Sequence, residues 1–313
     1  MIKKTLYFSN PAYLSLKDKQ MLIRIPEIEQ SKIELLKTQS RRTIPIEDIG
    51  VVILENRQIT ITQGLLAAML DNNVAVITCN EKCMPKGLLL PLEGNTIYNE
   101  RFRSQLDASQ PLQKQLWQQT MVAKIRNQAE LLKRVTNKPV TNMLKWANSV
   151  KSGDPDNIEA RAAVYYWKNI FVNKPDFIRH HEGSYPNMLL NYGYAILRAV
   201  VARALVSSGL LPLLGIHHHN RYNAYCLADD IMEPYRPFVD KVVIDMMEKY
   251  DDIQNLTKEM KVDLLSIPTI DVVISGKRSP LMIAVSTTTS SLVKCFSGVL
   301  RKISYPVFPD ATI

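Results

Sequence analysis

The stretch Gly87-Leu88-Leu89-Leu90-Pro91-Leu92-Glu93-Gly94 divides the chain into two parts of different character. Its proline and closing glycine interrupt any regular period, as a linker does. Before it come short β-branched or aromatic runs, at Thr5 to Phe8, Met21 to Ile25, Gly50 to Leu54, Ile59 to Thr62 and Val74 to Thr78. Each is bounded by Asn, Pro, Gly or charged residues, the pattern of strands. One helix, Gln63 to Asn72, falls between two of them. After the linker a helical period takes over. Helices are expected over Asn99 to Ser109 and Leu112 to Thr136, with Pro111 between them. Another opens with Asp154 as N-cap and Pro155 in the first turn and runs to about Phe171. Pro186 to Ser208 forms a long helix that stops before Gly209. Asn220 to about Tyr250 is helical but broken or kinked by Pro234 and Pro237, and Thr289 to Lys302 forms a late helix. The expected fold is α+β: a small β-rich domain over residues 1–95, linker included, followed by a larger all-α domain over 96–313.

The composition fits a globular chain. Of 313 residues, 46% are hydrophobic and 22% charged, which argues against a disordered or fibrous protein. Lys3 and Lys4 are followed by only four residues, Thr5 to Phe8, before Ser9, too few for the apolar stretch of a signal peptide. The longest uninterrupted apolar run, Leu65 to Leu70, falls far short of the ~20 residues of a spanning helix. A cytoplasmic protein with no membrane partner is expected. Cys79 and Cys83 are four apart, but Cys226 and Cys295 supply no second pair at zinc spacing, so all four read as reduced thiols.

The formal charge of +9 is unevenly placed. Residues 100–153 carry 10 Lys and Arg against 3 Asp and Glu, whereas residues 154–313 carry 17 of each. Such a localised basic stripe suits a polyanion, through phosphate contacts and counterion release. A solvated helix face with no partner would read the same way.

Three segments carry candidate chemistry. All five histidines, His180, His181, His217, His218 and His219, lie within forty residues of one another, and imidazole serves metal binding and proton transfer near neutral pH. In the run from Leu227 to Asp240, Asp230 and Glu233 are three apart and share a helix face, while Asp229 points elsewhere. A buried acidic pair is costly unless it holds a metal or is salt-bridged, here to Arg236 or Lys241. Glu159 stands in the first turn of a helix rich in small and aromatic residues, where it either joins a site or merely complements the helix dipole. Two carboxylates and an imidazole would suit Mg²⁺ or Mn²⁺. No phosphate-binding glycine loop, dinucleotide fingerprint, His-Glu-x-x-His motif or nucleophile elbow occurs.

Three blocks then resemble a known family: Leu190-Asn191-Tyr192-Gly193-Tyr194-Ala195-Ile196-Leu197, Gly209 to His218, and Asp230-Ile231-Met232-Glu233-Pro234-Tyr235-Arg236-Pro237. Their order and spacing are similar to those of the CRISPR-associated integrase that captures new spacers, the first of the two Cas adaptation proteins. The last block looks most like the form found in type II systems. The resemblance implies that Glu159, His218 and Glu233 are the metal-binding catalytic residues, with Asp230 matching a further acidic position used by some members. His218 is the histidine three residues past Gly215, where the family motif places it. In an extended stretch after Gly215, His217 and His219 would face away from it.

The implied reaction is attack by the 3′-hydroxyl of a short duplex on a phosphodiester at the edge of a CRISPR repeat, with Mg²⁺ or Mn²⁺ as cofactor; the same site would account for endonuclease activity. The implied partners are double-stranded DNA, a second copy paired through the β-rich domain, the smaller second adaptation protein and the type II effector nuclease. Lys133, Arg134, Lys138 and Arg236 are candidate DNA contacts. Two other readings stand beside this one: a stand-alone structure-specific repair nuclease, and a non-catalytic DNA-binding scaffold whose acidic residues only form salt bridges.

Overall fold

A computed structural model describes residues 2–26, 41–174, 176–180, 183, 185–250 and 255–310. They form two compact units, divided at Gly94 and Asn95.

The first unit holds two four-stranded sheets. One is ordered β1 (Lys4–Phe8), β5 (Ile49–Leu54), β7 (Ala75–Cys79), β8 (Pro85–Leu89), with the first three strands parallel and the last antiparallel. The other is ordered β4 (Arg41–Pro45), β3 (Gln20–Arg24), β2 (Ala12–Lys17), β6 (Ile59–Ile61). The parallel strand β5 reads Ile-Gly-Val-Val-Ile-Leu and is buried along nearly all its length, as a strand covered on both faces must be. Helix α1 (Gln63–Asp71) connects β6 to β7 and inserts Leu65 and Met69 into a core with Leu14, Met21, Ile49, Val52 and Val76. Five of these strands lie on the expected runs, whereas β2, β4 and β8 were not expected. Strand β8 includes the first residues taken for the linker. Its Gly87 packs against Thr78 of β7, with no room for a side chain, so here glycine marks close strand contact rather than flexibility.

The second unit is helical as expected, with one added hairpin, β9 (Asp271–Ile274) and β10 (Lys277–Pro280). Its helices are α2 (Tyr98–Leu106), α3 (Gln110–Thr136), α4 (Thr141–Ser149), α5 (Ile158–Ile170), α6 (Asn187–Ser207), α7 (Cys226–Met232), α8 (Arg236–Lys249), α9 (Lys258–Leu264) and α10 (Leu281–Phe296). The 27-residue α3 is the central post, packed by α4, α5, α8 and the turn before α8. Ser109 caps its start by accepting the Leu112 N–H, Pro111 sits in its first turn, and Asn137 ends it in the left-handed conformation.

Helix α6 is long and apolar enough to cross a membrane by composition, yet it is mostly buried within the unit. Its polar Asn191 and Arg198 interrupt what would otherwise be a continuous apolar run. A Cβ on Gly193 of α6 would lie 2.6 Å from Val239 of α8, so these two helices approach too closely for any side chain there.

Several helix starts differ from expectation, among them that expected at Asn220, which lies at Cys226. The helix bearing Glu159 begins at Ile158, not at Pro155. Asp154 still caps it, but from a distance: its two carboxylate oxygens accept the N–H groups of Ile158 and Glu159, each at 2.9 Å. The late helix begins at Leu281, directly after Pro280, and Gly298 with φ +74° follows its end. The expected Asn220 to Tyr250 helix is divided at a 3₁₀ turn, Glu233–Tyr235, which carries Pro234 and lies directly before α8 and its Pro237.

Candidate active site

The site is built around an unexpected residue, Lys124 on the inward face of α3. Its ammonium lies 2.6 Å from Glu159 Oε1 and 2.6 Å from Glu233 Oε2. Those two oxygens, 74 positions apart in sequence, are therefore no more than twice that distance apart in space. Glu159 comes from the first turn of α5, which Asp154 fixes through its cap. Glu233 comes from the 3₁₀ turn. That turn is tied to α3 three residues beyond Lys124, where Asn127 Nδ2 donates to the Pro234 carbonyl at 2.8 Å and to the Pro306 carbonyl at 3.0 Å. Tyr235 O–H and Thr288 share a 2.6 Å hydrogen bond on the other side. The break at Pro234 thus positions Glu233 by exposing a backbone carbonyl that α3 can hold.

Burial alone would push the Lys124 ammonium toward neutrality. Glu233 and Glu159 together overcome it and raise its pKa. Burial likewise disfavours Glu233 as a carboxylate, yet the adjacent Arg236 and Lys124 hold its pKa below the ordinary value. Arg236 Nε lies 3.0 Å from Glu233 Oε1, and its guanidinium covers the Tyr194 ring at 4.8 Å. Glu233 Oε2 is buried and has the ammonium beside it as an ion pair, without an aligned hydrogen bond.

His218 enters from the loop after α6. Gly215 allows it: the chain folds back so tightly that a Cβ there would collide with the His218 carbonyl and lie 2.8 Å from Asp230 Oδ2. Asp230 is fully buried and organises the loop. It accepts the His217 N–H at 2.9 Å and engages His218 Nδ1 in a short contact. That hydrogen bond raises the His218 pKa against a partial burial cost, with smaller contributions from the charges of Asp230 and Glu233. The half-exposed imidazole is left with Nε2 for other work.

The family model for CRISPR associated protein Cas1 matches residues 6–260. A CRISPR-associated endonuclease Cas1 from Neisseria meningitidis serogroup C is 35% identical over 292 residues, covering 93% of this chain and 91% of the relative. The chain belongs to the Cas1 family. Two solved structures share its fold. A casposase bound to integration product superimposes with a TM-score of 0.74 at 19% identity, covering 97% of this chain and 92% of that one. A chain of a Cas6-RT-Cas1–Cas2 complex gives 0.72 at 17% identity, with 96% of this chain matched to 36% of the longer one. The small β-rich unit before a larger helical one is therefore the Cas1 architecture, as the sequence led us to expect.

Within this Cas1 chain the structure gathers Glu159, Glu233 and Arg236 about Lys124 and sets His218 on Asp230. Among the described residues, no group of three His, Cys, Asp or Glu side chains is arranged to hold a metal ion. Asp230 acts on His218 rather than alongside Glu233, because it points back under the histidine loop. His217 is exposed, but its ring does not stand free. Its ring stacks on Trp117 of α3 with centroids 4.1 Å apart, and burial there lowers its pKa. The alternation expected of an extended strand fails because the backbone wraps around the Asp230 carboxylate instead of running straight. His219 is exposed, and His181 lies outside the described residues.

Of the expected DNA contacts, Lys133, Arg134 and Lys138 are exposed at the C-terminal end of α3 and just beyond. Arg134 also reaches Glu130 at 2.7 Å and the Pro309 carbonyl at 2.8 Å. Arg236 departs from expectation, since its guanidinium is engaged by Glu233. Lys124, counted in the basic stripe, is likewise withdrawn into the site. A signal for it was present: Met121, Lys124, Ile125 and Gln128 follow the spacing of one helix face, and a lysine on an apolar face calls for buried counter-charges.

Behind the site, Asp240 is buried between two tyrosines. Tyr166 O–H donates to Oδ2 at 2.7 Å and Tyr194 O–H to Oδ1. Burial pushes its pKa up from 3.8 to about 6; the tyrosine hydrogen bonds and nearby Arg236 and Arg179 offset this only in part. The folded state therefore keeps this proton longer than the unfolded chain does. The contribution of Asp240 to stability is full below its unfolded pKa and falls as pH rises toward 6. Asp240→Asn should remove that fall, a few kcal/mol at most. Thermal melts from pH 4 to 7 check this: parallel curves for the two proteins would refute it.

Proposed function

We propose that this chain is a divalent-metal-dependent DNA integrase and endonuclease that inserts short foreign duplexes into a CRISPR array. The observation that carries the reading is the convergence of Glu159 and Glu233 on a single cation beside the loop that holds His218. Two carboxylates and an imidazole are a donor set that Mg²⁺ or Mn²⁺ accepts, and the two carboxylates already face one shared cation position, held in this structure by the Lys124 ammonium. Glu159, His218 and Glu233 would hold it. When bound, it supplies charge stabilisation at a phosphodiester and a more acidic attacking hydroxyl.

The chain's own residues set the remaining conditions. Asp230 holds Nδ1 of His218, so Nε2 is the nitrogen presented to the site. Arg236 keeps Glu233 ionised and fixes its rotamer from behind. Asp154 and Asn127 anchor the two backbone segments that bring the carboxylates together, which limits the reorganisation needed when charge develops. The exposed Lys133, Arg134 and Lys138 offer a sequence-independent phosphate contact.

The related casposase was solved with integration product, and the related reverse-transcriptase fusion in a complex with Cas2. The first supports DNA joining as the activity of this chain, and the second supports Cas2 as its partner. Pairing with a second copy through the β-rich unit, and cooperation with a type II effector nuclease, belong to the same reading.

The deciding assay is joining of a labelled duplex to a repeat-containing plasmid, with and without the small partner, in Mg²⁺, Mn²⁺ or EDTA. Joining is expected only with a divalent ion, and at repeat edges only with the partner. Partner-independent cleavage of branched DNA without joining would point to the repair nuclease, and binding with no divalent-dependent chemistry to a scaffold.

A further inference from the structure

Lys124 is more than a neighbour of the two carboxylates: it occupies the place between them. Its ammonium makes contacts of 2.6 Å to both, and its side chain is only 10% exposed. A divalent ion held by Glu159 and Glu233 needs those same oxygen lone pairs, at about 2.0–2.2 Å. The two cations cannot share them. Charge makes the same point. Glu159 and Glu233 are already balanced by Lys124 and Arg236, so an ion entering with Lys124 still in place would leave two uncompensated positive charges in a buried site. Arg236 is the wrong group to leave, since its guanidinium is held against both Glu233 and the Tyr194 ring. Lys124 has a flexible four-carbon stem and a compact charge, and among the described residues no aromatic ring lies under its ammonium. Glu159 is 29% exposed against 8% for Glu233, so the way out to water lies on the Glu159 side.

We propose that Lys124 is the resident counter-cation of the metal-free site, and that divalent-ion binding is an exchange in which the ammonium leaves Glu159 and Glu233 for solvent as the ion enters. This rests on the metal site of the proposed function and adds to it a specific displaced group. It also explains why the three expected ligands are not gathered into a coordination shell: the carboxylates are drawn onto Lys124, and His218 onto Asp230. In the metal-free protein the lysine prevents two buried carboxylates from repelling one another. Once displaced, it becomes a positive charge at the mouth of the site, where a DNA phosphate can meet it.

The test is amine acetylation of the full-length protein with an N-hydroxysuccinimide ester, in EDTA and in Mn²⁺, read residue by residue by peptide mass spectrometry. Bound Mn²⁺ is counted in parallel by electron paramagnetic resonance. Labelling of Lys124 should rise at least about ten-fold on Mn²⁺ binding, while the exposed Lys114 and Lys145 change little. Lys124→Met should bind Mn²⁺ at least about ten-fold more tightly, because no resident cation has to leave. If Mn²⁺ is bound and Lys124 labelling stays the same or falls, the exchange is overturned. Should Lys124→Met fail to fold, the wild-type footprint decides alone. The metal-site reading fails separately: Mn²⁺ bound equally well by the Glu159→Gln, Glu233→Gln double variant would overturn both.

Discussion

Glu159→Gln should abolish DNA joining, by a factor of at least about a thousand, while leaving the protein folded. The substitution keeps the shape of the side chain and removes its charge. The helix start it occupies is secured by Asp154 through backbone N–H groups, which the change does not touch. Lys124 keeps Glu233 as a partner, so no buried charge is left alone. Glu233→Gln should abolish joining equally but also lower stability. It removes the carboxylate that both Lys124 and Arg236 face, and uncovering a buried cation costs about 3–5 kcal/mol. The contrast is informative, since equal loss of activity with unequal loss of stability separates chemistry from folding. Joining rates and thermal melts of both variants provide the check. A folded Glu159→Gln protein that joins DNA at the wild-type rate would remove Glu159 from the site.

The division of the chain was legible because its two halves follow different periods: short β-branched runs before Gly87, and apolar spacing of three and four after Gly94. The strands missed in the first unit share a cause. Ala12–Lys17 carries Ser15 and Lys17, Arg41–Pro45 opens with two arginines, and Pro85–Leu89 contains proline and glycine, so none presents an apolar run. Pairing with neighbours, a tertiary matter, makes them strands. The carboxylates and His218 were visible as a motif. The role of Lys124 was not, because its meaning depends on two partners 35 and 109 positions away. A basic count over residues 100–153 treats it as one more surface charge; only the packing of α3 shows that it faces inward. Asp230 was left without a role for a related reason. Helical spacing puts it on one face with Glu233, but the histidine loop folds over it and takes up both of its oxygens.

That loop gives the second large effect. His218→Ala should abolish joining, His219→Ala should leave it nearly unchanged, and His217→Ala should fall between them. His219 is exposed, and among the described residues no stacking or ion-pair partner ties it to the site. His217 holds its ring flat against Trp117, so its loss removes a stacking contact of about 0.5–1.5 kcal/mol and loosens the wall on which the loop rests. Its backbone N–H, which bonds Asp230, survives in alanine. A loss of a few-fold in rate, with a small drop in melting temperature, is the expected result. His218 differs in chemistry, since its Nδ1 is held by Asp230 while Glu233 acts on the same ring through its charge. Asp230→Asn distinguishes this positioning from a bare need for imidazole. An amide can accept from the loop N–H groups but loses the charge that fixes the His218 tautomer and holds its pKa up. Metal affinity should then drop about 10–100-fold with His218 still present. Joining assays in saturating Mn²⁺ should recover part of the Asp230→Asn activity and none of the His218→Ala activity. If His217→Ala were inactive and His218→Ala active, the ring stacked on Trp117 would be the functional one, and the assignment would move by one residue.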